Sequence, residues 1–131
     1  MSRLRVLVAD DHQGMLDNVV RLLSREFDVV AIVHDGAAAV SEAPRVNPDI
    51  LVLDIAMPGL SGIEAAGRLK ANGSTAKVVF VTMHDDREFV DGAAALGNVG
   101  FVVKSRLMSD LIPAIRSVLA GEPFVSPSLR R

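Results

Sequence analysis

Asp10, Asp11, Asp54, Thr82 and Lys104 are far apart in the sequence, yet together they are the residue types that phosphate chemistry requires. Carboxylates that converge repel one another, and such a cluster is stable mainly with a cation among them. Hard oxygen donors without imidazole or thiolate favour Mg²⁺ or Mn²⁺, which keep several waters and complete their shell with a phosphate oxygen. A hydroxyl to hydrogen-bond a phosphoryl oxygen and an ammonium to balance its charge complete the parts for phosphoryl transfer, with one carboxylate as the nucleophile that becomes an aspartyl-phosphate. Each residue alone has a plainer reading. An acid pair before a helix is more often an N-cap with a solvated neighbour, Asp54 can cap a loop, Thr suits a strand, and a lone Lys is usually solvated. The plainer readings leave one coincidence unexplained: all of these residues fall at the ends of predicted strands.

Four apolar runs and a shorter fifth define those strands: "LRVLVAD" (4–10), "DVVAIVH" (28–34), "DILVLD" (49–54), "KVVFVT" (77–82) and "GFVVK" (100–104). Their apolarity is continuous rather than alternating, which signals burial on both faces, as in a parallel sheet covered by helices on each side. Helical stripes follow: Met15, Leu16, Val19, Val20, Leu22 and Leu23; Ile63, Ala66, Leu69 and Lys70 after Ser61; and Leu111, Ile112, Ile115, Val118 and Leu119. Strand then helix, five times, predicts a doubly wound α/β fold with right-handed crossovers. If the strand order is 2-1-3-4-5, the carboxyl ends of strands one, three, four and five are close neighbours, and ligands bind at that edge of an open parallel sheet. Pro44 is expected to end or bend the second helix near Ala43. Pro113 fits only in the first turn of the last helix, which would then begin near Ser109 or Asp110. After Gly121 the periodicity stops, and "GEPFVSPSLRR" reads as a linker or tail, leaving residues 1–120 as the single domain.

Bulk composition narrows the class of function. The 131 residues are half apolar with a net charge of −2, so the chain reads as one globular domain without a basic surface for nucleic acid. The absence of cysteine excludes disulfides, thiolate metal sites and a cysteine nucleophile, and fits a cytoplasmic protein. Acids interrupt the first apolar run after Ala9, no cleavage site follows, and no window approaches the roughly 18 to 20 apolar residues of a membrane span.

The strings "LVADDH", "DILVLDIAMPGLSGIE", "VVFVTMHDD" and "GFVVKS", in this order and spacing, resemble the receiver domain of two-component response regulators over residues 3–120. "TMHDD" resembles in particular the subfamily whose output is a helix-turn-helix DNA-binding domain. The resemblance implies a flavodoxin-like (βα)₅ fold with a five-stranded parallel sheet of order 2-1-3-4-5. It also implies that Asp54 is the phosphoacceptor, that Asp11 holds Mg²⁺ directly and Asp10 through water, and that the backbone carbonyl of Ala56 is a further ligand. Thr82 corresponds to the switch hydroxyl, Lys104 to the lysine that pairs with the phosphoryl group, and Phe101 to the switch aromatic, whose ring can act here through packing alone. His12 and His84 flank the site away from the ligand positions.

Two departures stand out: Ser105 replaces the proline that often follows the lysine, and Met83 is bulky where many receivers are small. The implied partners are a histidine kinase or phosphotransfer protein, a small donor such as acetyl phosphate, and a second copy in a phosphorylation-dependent dimer. DNA would be reached only through an output domain that does not follow in this sequence. The chain would thus be a fragment of a transcription regulator or a stand-alone receiver. A Mg²⁺-dependent phosphohydrolase is disfavoured because Ala56 stands where such enzymes place a second acid, and a non-phosphorylated adaptor is disfavoured because no site residue is missing.

Overall fold

The computed structural model describes residues 3–83, 93 and 96–127. Strands β1 (Arg5–Ala9), β2 (Asp28–Val33), β3 (Ile50–Asp54), β4 (Lys77–Thr82) and β5 (Gly100–Val103) form one parallel sheet, and helices α1 (Gln13–Leu23), α2 (Gly36–Val46) and α3 (Gly62–Ala71) cover it. After β5 a short 3₁₀ turn, Lys104–Arg106, leads into α4 (Leu107–Leu119). The sheet order is β2-β1-β3-β4-β5, as expected, with a sixth strand, β6 (Phe124–Val125), paired parallel to β5 at the edge. This strand lies inside the segment read from the sequence as a linker, so the sheet has one strand more than expected. The stretch expected to form a helix between the fourth and fifth strands, together with His84, lies outside the described residues.

The continuous apolar runs are explained by two cores. Val6 and Val8 of β1, Ile50 and Val52 of β3, and Val79 and Val81 of β4 pack against α1 and α4 on one face. Their alternates Leu7, Ala9, Leu51, Leu53 and Phe80 pack with Ala39 and Ala43 of α2 and with Ala66 and Leu69 of α3 on the other. A strand buried on both sides has no polar face to show, so its alternation disappears. All five residues of β3 are buried, which makes it the central strand. At the other extreme β2 is an edge strand, half-exposed, with Ile32 open to solvent.

The helix boundaries expected at both prolines need correction. α2 runs through Pro44 to Val46 and ends on Asn47, which donates its amide to the Ala43 carbonyl and takes a left-handed backbone (φ 50°) that turns the chain out of the helix. α4 starts at Leu107, which places Pro113 in its second turn rather than its first. There Pro113 lies on the exposed face, where water can satisfy the Ser109 carbonyl that has lost its amide partner. Among the described residues no helix is long and apolar enough to cross a membrane.

Candidate phosphoacceptor site

Sheet order delivers the site. β1 and β3 are adjacent, with Ala9 in register with Leu53, so Asp10 and Asp54 emerge side by side one residue later. β4 and β5 lie next to them, and their register pairs Thr82 with Val103, the residue before Lys104. Four chain segments therefore end at one edge. Lys104 Nζ lies 3.0 Å from Asp10 Oδ2 and 3.2 Å from Asp54 Oδ2, and all three side chains are almost fully buried. Asp11 is exposed, and together with Asp10, Asp54 and His12 it offers ligand atoms that all lie within 4.8 Å of one another.

The loop after Asp54 is fixed by backbone geometry. Ser61 caps α3 in a reciprocal capping box with Glu64. The Gly62 amide donates to the Ile55 carbonyl at 3.0 Å, folding the "IAMPGLS" turn back onto the end of β3. A Cβ at Gly62 would stand 2.2 Å from the Asp54 carbonyl oxygen, so only glycine permits this approach. Ala56, exposed in that turn, donates its amide to Asp54 Oδ1 at 3.3 Å. The acid pair is not a helix cap: His12 holds the N-cap position of α1 without a side-chain cap, while Asp10 Oδ1 accepts the His12 amide at 2.9 Å. That bond turns the carboxylate of Asp10 back toward the site.

Electrostatics follow from burial. Burial raises the Asp54 carboxyl from the usual 3.8 to about 6, aided by the nearby negative charge of Asp10 and opposed by the Lys104 ammonium. Asp54 is thus largely ionised at neutral pH, yet it is held in surroundings that would welcome another cation. Three carboxylates and one imidazole form a donor set that fits a divalent ion, and the oxygen majority suits Mg²⁺ or Mn²⁺. His12, read from the sequence as flanking, places Nδ1 3.4 Å from Asp10 Oδ1 and 3.2 Å from Asp11 Oδ1. Its ring is mostly exposed, 61%, so it rims the cluster rather than filling it.

The remaining expected residues lie on β4 and β5 or directly after β4. Thr82 is buried at the carboxyl end of β4, and Met83 after it is exposed. Phe101 is buried in β5 with its ring 5.3 Å from that of Phe80 at an angle of 33°, an inward position within the α2–α3 core. One contributor had no signal in the sequence. Ser126, beyond the expected domain end, is fully buried and hydrogen-bonds to the Val103 amide next to Lys104. A serine between two prolines looks like any linker serine until the chain is seen to turn back along β5.

A parallel α/β sheet with an acid cluster and a buried lysine at its carboxyl edge defines a class of phosphate-handling domains, and comparison with known proteins identifies which one. This chain belongs to the response regulator receiver domain family, whose model matches residues 6–116. It is 32% identical over 130 residues to the "Transcriptional regulatory protein DegU" of Brevibacillus brevis, an alignment covering 98% of this chain and 55% of that protein. Among solved structures, a LuxR-family two-component response regulator from Aurantimonas sp. SI85-9A1 superposes with a TM-score of 0.90 at 33% identity, covering 98% of this chain and 93% of that one. The receiver domain of the response regulator NarL from Mycobacterium tuberculosis gives 0.86 at 31%, covering 93% and 100%. The chain spans only 55% to 63% of the length of curated relatives such as DegU and the nitrate/nitrite response regulator homologue of Haemophilus influenzae.

Proposed function

We propose that this chain is the phosphoacceptor switch of a response regulator, with Asp54 as the residue that takes the phosphoryl group. The supporting observation is the buried arrangement in which Lys104 spans Asp10 and Asp54, with Asp11 beside them. The carboxylate of Asp54 attacks the phosphorus of a phosphohistidine on a kinase or phosphotransfer protein, or of acetyl phosphate. A P–O bond to Asp54 forms, the bond to the donor breaks, and the donor leaves with the electron pair. Asp10, Asp11, Asp54 and the Ala56 carbonyl would hold Mg²⁺ or Mn²⁺, which would neutralise charge on the transferring oxygens. Lys104 shifts its ammonium from the two carboxylates to the phosphoryl oxygens, and Thr82 donates its hydroxyl to another. Those two movements, with Phe101 as the aromatic that follows them, bias the equilibrium of the adjoining face. The chain is a switch rather than a turnover enzyme, acts in the cytoplasm and controls a transcriptional output, with a second copy of the phosphorylated chain as its partner.

Incubation with acetyl phosphate and Mg²⁺ followed by intact mass measurement tests the reading. A stoichiometric, base-labile adduct that disappears in Asp54→Asn and on chelation of the metal is the expected result. Repeated hydrolysis of phosphomonoesters would instead make the chain a hydrolase, and no adduct at all would leave a contact module.

A further inference from the structure

Residues 121–126 run along the full length of β5 as a strap. At its start Asn98 donates its side-chain amide to the Gly121 carbonyl. In the middle, the Phe124 amide donates to Val99 O at 3.4 Å, and Gly100 and Phe101 stand in register with Phe124 and Val125. At its end the Ser126 amide donates to Phe101 O at 2.9 Å. The fully buried Ser126 hydroxyl accepts the Val103 amide at 3.1 Å and donates to Asp110 Oδ2 at 2.7 Å. Asp110 also receives Arg106 Nε at 2.9 Å and the Ser109 hydroxyl at 3.1 Å. Burial opposes ionisation of this carboxyl, but the bonds from Arg106, Ser126 and Ser109 outweigh it and hold the group below its usual range.

An edge strand needs covering, and a short parallel partner alone would do that. The Ser126 hydroxyl does something more particular. It occupies the amide immediately before Lys104 and ties it to Asp110, in the first turn of the helix that starts three residues after Lys104. Three segments, β5, α4 and the strap, therefore meet at the backbone that carries the site's ammonium. A lysine that must reach a phosphoryl group benefits from a fixed base, because ordering it beforehand removes that cost from binding.

We propose that Ser126 is a positioning residue for Lys104, and that docking of the strap and occupation of Asp54 by a phosphoryl group stabilise one another. The chain after Ser126 would then sense the state of Asp54 through Val103 and Lys104. Linkage of this kind is reciprocal: whatever factor the strap contributes to phosphoryl affinity, the phosphoryl group returns to strap docking. The inference rests on the phosphoacceptor reading above, and its test keeps the two apart.

Beryllofluoride with Mg²⁺ serves as the phosphoryl stand-in. Its affinity is measured by titration for the full chain and for Ser126→Ala. Amide exchange is followed at Phe124, Ser126 and Val103, with the Ser74 amide, bonded to Leu69 O, as a distant reference. The expected result is a five- to tenfold loss of affinity in Ser126→Ala, matched by an equal slowing of exchange at the Phe124 and Ser126 amides of the strap and at the Val103 amide they cover when wild type binds the anion, with Ser74 unchanged. Because Ser126→Ala leaves a buried amide unpaired, the exposed Asn98→Ala gives a second opening of the strap and should weaken the anion in the same direction. Affinities within twofold of wild type in both variants, or faster strap exchange on binding, overturn the linkage. A wild-type chain that takes up no beryllofluoride overturns the phosphoacceptor reading itself and the linkage with it.

Discussion

Asp54 carries an energetic conflict that its replacement exposes. Because burial raises its carboxyl from 3.8 to about 6, the folded chain binds more protons than the unfolded chain between those values. Stability therefore falls as pH rises through that window and stays lower above it. Asp54→Asn keeps an acceptor for the Ala56 amide and removes the buried charge, so in metal-free buffer at pH 7.5 it should be more stable than wild type by about 1–3 kcal/mol. Near pH 4 the advantage should vanish. Urea midpoints at the two pH values check this, and equal stability at pH 7.5 would overturn it. A stabilising Asp54→Asn would mark a position where stability is given up for the chemistry proposed above.

Glycines set the geometry of whole elements here. Gly62→Ala drives a methyl group into the Asp54 carbonyl, 2.2 Å from the ideal Cβ, so the start of α3 and the end of β3 must part. A cost of about 1–3 kcal/mol is expected, with slower uptake of acetyl phosphate because Asp54 moves with its backbone. Gly14, in α1, has open space around its Cβ and provides the control: Gly14→Ala should be neutral or stabilising by up to about 1 kcal/mol. Thermal melts together with phosphorylation rates distinguish the two variants.

The strands were legible in the sequence because burial on both faces leaves unbroken Val, Ile and Leu runs, and those runs placed Asp10, Asp54, Thr82 and Lys104 at strand ends. Pro113 misled because its cost falls on the Ser109 carbonyl, and no sequence pattern shows that this carbonyl faces water. β6 left no signal at all. Two residues between prolines have no period, and their pairing depends on an edge that exists only once β5 is in place.

At the scale of the molecule, the question is where the folding unit ends. A boundary at residue 120 predicts that shortening the chain there costs nothing. The hydrogen bonds of Ser126 predict a different outcome: removing residues 121–131 exposes the β5 edge, leaves the Val103 amide without its acceptor and takes one donor from Asp110. An unpaired buried amide costs about 1–3 kcal/mol, so the shortened chain should melt several degrees below the full one. Co-melting of the two chains would instead support a boundary at residue 120.

The Phe80–Phe101 pair has one more consequence. The chain contains no tryptophan and no tyrosine, so it lacks the usual optical reporters. Two tilted rings 5.3 Å apart inside an aliphatic core nonetheless act as a small magnet in a field. Their ring currents displace the resonances of the Leu and Val methyls packed around them, so any rotation of Phe101 is written into the methyl spectrum without a label on the protein surface.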